Sequence, residues 1–194
     1  MSEQSAVLTR PVTYQDVLDA PEHLVAEIIA GELHTHPRPR TRHGRVTLKL
    51  SSRLDRAFDD GIDGPGGWWI AEEPELHLGE DVLVPDICGW RRETLPALPD
   101  AAFIEVVPDW VCEVLSPSTR VTDLTTKRER YRVHGVGHLW LIDPETRILE
   151  VFGLVDRAWS LRLTAKDAEK VSAPPFDAIS LDLSALWLPA PDGA

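Results

Sequence analysis

Three residues of the chain combine a reactive side chain with a confining context. Asp86 follows Val84 and Pro85 in an otherwise apolar run over residues 82–90. Glu113 sits inside Trp110, Val111, Cys112, Val114 and Leu115. A carboxylate among such neighbours is expensive to bury unless it is paired or coordinates a metal. Two of them on neighbouring strands can aim at one point. A hard cation such as Mg²⁺ or Mn²⁺ uses one or two protein carboxylates and completes its shell with water and substrate phosphate. Held this way, it polarises a phosphoryl oxygen and generates hydroxide. Lys127 lies about one helical turn past Asp123, with Tyr131 one turn further along the same face. A lysine near the start of a helix opposes the helix dipole, so its placement calls for a reason, and charge stabilisation at phosphorus is one. Spacing alone leaves other readings open. It favours satisfied structural salt bridges for the two acids, and a solvated helix face accounts equally well for Lys127 beside Arg128, Glu129 and Arg130.

The elements that must position these groups follow from the hydrophobic pattern. Thr13 to Asp16 has the form of a capping box opening a short helix that ends before Pro21. Residues 24–29 and 32–36, joined by Ala30 and Gly31, read as a β-hairpin. From about Arg40 to Asp60, Val46, Leu50, Leu54, Ala57 and Phe58 recur at three- and four-residue spacing. That is an amphipathic helix with Arg45, Lys49, Arg53 and Arg56 on its polar faces. Residues 68–78 read as one strand, residues 79–81 as a turn, and residues 82–90 as another strand whose Pro85 implies an edge or bulge near Asp86. Residues 110–115 form a buried strand. A helix follows from about Asp123 to His134, closed by Gly135. Residues 138–142 and 148–152 pair across turn chemistry at residues 143–147. One more strand spans residues 159–163, and a short apolar tail lies around Leu181 to Leu188. The expectation is an α/β (α+β) chain with a mixed central sheet flanked by helices, in one domain over residues 1–194 with its core at about 20–155 and a C-terminal strand and tail at 156–194.

Composition bounds the class. A 43% hydrophobic and 27% charged chain is ordinary for a soluble globular protein. No apolar run is long enough to span a membrane, and the N-terminus lacks the pattern of a secretory signal, so the cytoplasm is expected. Cys88 and Cys112 form no knuckle and read as buried free thiols. The net charge of −12 is unlike that of most nucleic-acid binders. The basic residues do cluster, in Arg38, Arg40, Arg42, His43 and Arg45, and again in Lys127, Arg128, Arg130 and Arg132, and screening lets a local cluster bind phosphate on an acidic protein.

Other groups carry less. Glu72, Glu73 and Glu75 precede Asp86, and strand alternation puts Glu73 and Glu75 on one face, where one of them can reach a metal or both can be hydrated. Ser116 and Ser118 lack a nucleophile elbow. No Walker loop or dinucleotide fingerprint is present. The Trp68-Trp69 pair could stack bases, although packing is the commoner use.

Val84-Pro85-Asp86-Ile87, then residues 108–119 with Glu113-Val114-Leu115-Ser116-Pro117-Ser118-Thr119 at their centre, then Lys127 to Tyr131 and residues 138–144, resemble the Uma-two family of the PD-(D/E)xK superfamily. The hairpin at residues 27–33 and His43 fit the same family's N-terminal pattern. The resemblance implies a restriction-endonuclease-like fold, a Mg²⁺ or Mn²⁺ site, DNA as substrate, and a homodimer for cutting both strands. It makes Asp86 and Glu113 the metal-binding acids, with Glu27 contributing a further carboxylate and His43 a supporting role. Leu115 stands where the superfamily motif has lysine, and Lys127 matches the family's relocated one. The alternatives are a nuclease-like fold kept as a DNA- or protein-binding module, and a carboxylate-pair hydrolase of another substrate.

Overall fold

The computed structural model describes residues 4–5, 10–38 and 40–189, with the backbone alone for Gln4 and Ser5. Pro39 of the first basic cluster, and parts of the N-terminal and C-terminal stretches assigned to the single domain, lie outside the described residues.

The N-terminal part comprises β1 (Gln4–Ser5), α1 (Tyr14–Leu18), β2 (Leu24–Ile29), β3 (Glu32–Pro37) and α2 (Thr41–Leu54), which continues through a π-helical turn at Asp55–Asp59. The middle supplies β4 (Trp68–Glu72), β5 (Leu76–Leu78), β6 (Asp81–Leu83), β7 (Ile87–Arg91) and β8 (Trp110–Val114). One helix then runs in three stretches, α3 (Arg120–Thr122), a π-helical turn (Asp123–Lys127) and α4 (Arg128–His134). The chain finishes with β9 (His138–Asp143), β10 (Ile148–Val155), β11 (Ala158–Lys166), the short pair β12 (Lys170–Val171) and β13 (Leu181–Asp182), and a 3₁₀ turn at Leu183–Ala185.

Two larger sheets organise these strands. One has the order β11-β10-β9-β8-β7-β4, the other β1-β3-β2-β6-β5. In the first sheet every neighbouring pair is antiparallel except β8 and β9, which run parallel. Parallel neighbours need a crossover, and the α3–α4 helix provides it, returning from the end of β8 to the start of β9. The sheet is mixed and helix-flanked, as expected.

Alternation along β8 and β9 sorts the core into two layers. Trp110, Cys112, Val114, Trp140 and Ile142 join Val46, Leu50, Leu54 and Phe58 of the α2 helix and its π turn. Val111, Leu115, Leu139 and Leu141 join Tyr131 of α4 and the second sheet's Ile29, Leu76 and Leu83. Glu113 therefore points to the face shared by the crossover helix and the second sheet.

Several boundaries differ from the sequence reading. Residues 68–78 are two strands, β4 and β5, in different sheets, and residues 82–90 divide likewise into β6 and β7. Pro85 lies at the second break, where it cannot donate to a ladder. The strand β4 ends at Glu72, and Glu73 has a left-handed backbone with φ 46°, so strand alternation does not relate Glu73 to Glu75. Asp81 belongs to a strand rather than a turn and is buried, bonded to the Ala30 N–H, Arg130 and His134. Trp68 is buried against Phe176, and Trp69 donates its indole N–H to the Leu95 carbonyl at 2.8 Å, so this pair packs rather than stacks bases. Cys88 and Cys112 are buried free thiols. The apolar tail is core: Phe176, Leu181, Leu183 and Leu186 pack with α2 against the first sheet. Among the described residues, no helix is long and apolar enough to cross a membrane.

Leu50, 1% exposed at the centre of the α2–sheet layer, tests this packing. Leu50→Ala is expected to lower the unfolding free energy by about 2–5 kcal/mol in urea titrations, because the removed atoms leave a cavity.

Candidate active site

Three elements meet where β8 ends. The strand β2 brings Glu27, β8 brings Glu113, and the π-helical turn of the crossover brings Lys127. Their exposures are 2%, 2% and 3%. The Lys127 ammonium lies 3.0 Å from Glu27 Oε1 and 2.9 Å from Glu113 Oε1, and donates to the Val84 carbonyl at 3.1 Å. Three N–H donors thus have three acceptors. Tyr131, one turn further, donates its hydroxyl to Glu113 Oε1 at 2.5 Å. Glu27 Oε1 also accepts the Val84 N–H at 2.7 Å, and His36 Nε2 lies 3.5 Å from Glu27 Oε2. The helix begins at Arg120, so Lys127 is a mid-helix residue rather than one near a helix start, and it is buried rather than solvated. π turns recur at functional sites, and here the turn carries both Asp123 and Lys127.

Asp86 approaches from the break between β6 and β7. Its Oδ2 accepts the Val114 N–H at 2.6 Å, and its Oδ1 lies 3.0 Å from His43 Nε2. His43 projects from the first turn of α2 and is itself buried. The structure thus brings Glu27, His43, Asp86, Glu113, Lys127 and Tyr131 together, and places Glu73 on the wall of the same pocket.

The electrostatics record four crowded carboxylates. Burial pushes Glu113 up to about 7; Asp86 and Glu27 add to the rise, and Lys127 and Tyr131 oppose it. Burial, with Glu113 nearby, raises Asp123 well above its ordinary value. Burial also acts upward on Glu27, but Lys127, His36 and the Val84 N–H outweigh it and bring the group down to about 2. Lys127 is raised despite its burial, because Glu113 and Glu27 surround it. Desolvation works against His43⁺, yet the contact with Asp86 prevails and raises its pKa.

Asp86, Glu113 and Asp123 line a pocket of about 30 Å³ with His43, Lys127 and Thr119. That admits water-sized occupants only. Among the described residues, no three His, Cys, Asp or Glu side chains form a ready-made metal cage. The donor set is hard carboxylate oxygen, which suits a Mg²⁺-type ion that keeps most of its water. Burial first, and neighbouring carboxylates second, raise the proton affinity of Glu113 and Asp123, and a cation bound beside them would favour their ionised forms.

Asp123 and His36 went unselected from the sequence. Asp123 had a signal, since it shares the helix face of Lys127 and Tyr131 at four-residue spacing. His36 had none without the hairpin register, which pairs Glu27 with His34 and sets His36 diagonally across. The cations of the second basic cluster have partners within the protein. Besides the buried Lys127, Arg130 binds Asp81, Arg132 binds Glu129, and Arg128 lies over the Phe152 ring.

A mixed sheet crossed by a helix, with Asp86 and Glu113 brought together by neighbouring strands and a buried lysine paired to Glu113, has the architecture of the restriction-endonuclease-like class. Residues 13–184 match the Uma2 family, described as "Putative restriction endonuclease", and the chain belongs to that family. A solved structure from Anabaena variabilis ATCC 29413, described as "a putative nuclease belonging to DUF820", superposes with a TM-score of 0.73 at 23% identity, covering 91% of this chain and 97% of that one. The likeness supports the fold. No curated protein matches the sequence.

Two variants probe the buried cluster. Lys127→Met leaves Glu27 and Glu113 buried without their cation and is expected to cost about 3–5 kcal/mol of stability. Glu27, lowered from 4.5 to about 2 on folding, contributes stability that is full above pH 4.5 and is lost as pH falls toward 2. Glu27→Gln is expected to flatten the stability profile across that window in thermal melts, whereas an unchanged slope would remove Glu27 from the ion pair.

Proposed function

We propose that this protein is a divalent-metal-dependent endonuclease that hydrolyses DNA phosphodiester bonds. The observation carrying the reading is the convergence of Asp86 and Glu113 on one water-sized pocket with the buried Lys127 ammonium beside Glu113. Asp86 and Glu113 would hold Mg²⁺ or Mn²⁺, which when bound supplies polarisation of the phosphoryl oxygen and activation of water. Lys127 is kept protonated by Glu27 and Glu113 and sets a positive charge where negative charge develops at phosphorus. His43 and the Val114 N–H fix both oxygens of Asp86, limiting its rotation. Tyr131 holds Glu113 Oε1 from behind. Glu27 acts through Lys127 and is a positioning residue. Cutting both strands needs two sites, which a homodimer supplies.

One observation favours a second reading, a nuclease-like binding module without catalysis. All three Lys127 donors already have protein acceptors, and Leu115 occupies the superfamily's usual lysine position.

Supercoiled and single-stranded DNA incubated with Mg²⁺ or Mn²⁺ are expected to be cut, and chelation to stop the cutting. Asp86→Asn and Glu113→Gln are each expected to slow it by at least about 100-fold, on the scale of losing a transition-state-stabilising group. DNA binding without metal-dependent cutting would establish the second reading.

A further inference from the structure

The pocket between Asp86 and Glu113 is too small for a nucleotide, so the substrate must lie across its mouth. Two grooves share its lining. One, of about 290 Å³, runs past His43 along Thr47, Leu48, Glu72 and Glu73. The other, of about 560 Å³, shares Pro37, His43 and Ser116 with the pocket and is rimmed by Arg38, Arg40 and Arg42. Two glutamates repel phosphate from the first. On the second, three arginines face one acid, Glu145.

These arginines differ from the other basic residues near the site. Arg45 donates to the Trp187 carbonyl, and Arg120 pairs with Asp143. Arg38, Arg40 and Arg42 are exposed and make no ion pair or side-chain hydrogen bond among the described residues. They cost the fold something, since Arg40 stands at the N-cap of α2 with no capping side chain, the first turn holds no acid, and cations there oppose the helix dipole. In a chain of net charge −12, a row of unneutralised cations at a helix start is not explained by stability. The rest of its lining includes Leu115 and Pro117 with Ser116 and Ser118. A groove lined by cations together with apolar and hydroxyl-bearing residues matches a strand that carries phosphates as well as sugars and bases.

We propose that the groove rimmed by Arg38, Arg40 and Arg42 binds the sugar-phosphate backbone of the DNA strand flanking the scissile phosphate, which therefore leaves the site on this side and not past Glu72 and Glu73. The proposal rests on the nuclease reading for its substrate, but binding can be measured apart from cutting.

The test measures fluorescence anisotropy of a labelled single-stranded oligonucleotide on the Glu113→Gln background, over a salt series, alongside cutting by chains with Glu113 intact. Arg38→Ala/Arg40→Ala/Arg42→Ala is expected to weaken binding at least tenfold. It should also make the slope of log affinity against log salt shallower by about 2, three phosphate contacts at about 0.7 each. The triple Arg→Lys variant keeps the charges and is expected to keep the slope, which separates phosphate contact from a folding defect. Glu72→Gln, outside the pocket lining, is expected to leave the slope unchanged. If the triple alanine variant binds with the parental slope while the unmodified protein cuts, the groove proposal is overturned and the nuclease reading stands. If the arginines govern binding and nothing cuts, the groove stands and the nuclease reading falls. No binding of either oligonucleotide or plasmid overturns both.

Discussion

The architecture around the site depends on one buried ammonium. Lys127 can be charged at 3% exposure only because Glu27 and Glu113 lie within 3.0 Å of it and the Val84 carbonyl takes its remaining donor. Those partners come from different places: β2 of one sheet, β8 of the other, and the break after β6. The ion cluster is therefore a three-way junction, and none of its charges is tolerable without the others. It fixes how the crossover helix sits across the face of β8, since a slip of that helix would bury a lysine and two carboxylates unmatched.

The same constraint separates two kinds of carboxylate. Glu27, locked by Lys127, His36 and a backbone N–H, is held low in pKa and remains ionised. Glu113 and Asp123 are pushed upward by burial first and by neighbouring carboxylates second. Asp86 is oriented by the Val114 N–H and His43 at the pocket wall. A carboxylate locked into the fold thus stands beside carboxyls of raised proton affinity, and the second kind lines the pocket. An acidic chain can be consistent with a polyanionic substrate when its surplus cations are concentrated beside such a pocket. Most basic residues of the crossover helix are already used inside the protein.

How much could be read from the residues varied with the length and regularity of each element. The β2–β3 hairpin, α2, β8 and the pairing of β9 with β10 were legible because each carries a sustained period or a strong apolar run bounded by turn residues. The region from β4 to β7 was not. Strands of three to five residues divided between two sheets, β4 and β7 in one and β5 and β6 in the other, leave no sustained period, and residues 68–78 and 82–90 read as two strands where four exist. Glu73 illustrates the consequence, because its assumed strand face disappears with the end of β4. It lines the pocket through a left-handed turn instead. The tail around Leu181 looked peripheral since its partners, α2 and the first sheet, are distant in the chain.

For the site, the residue types and their order along the chain were decided by sequence: two carboxylates in apolar strand segments, a lysine and a tyrosine one turn apart on the next helix, and a family resemblance that marked Glu27 and His43. Those are local properties, legible because a charged group in an apolar run is anomalous wherever it occurs. What each group does to the others was decided only by the tertiary structure. Lys127 read equally well as a solvated surface residue, and the second basic cluster read as a phosphate surface. Which cations are spent internally, as Lys127 and Arg130 are, and which remain free among the described residues, as Arg38, Arg40 and Arg42 do, depends on packing that brings together residues far apart in the chain, such as Lys127 with Glu27 and Arg45 with Trp187. Coulomb energy and desolvation act through space, so no pattern along the chain could have sorted them.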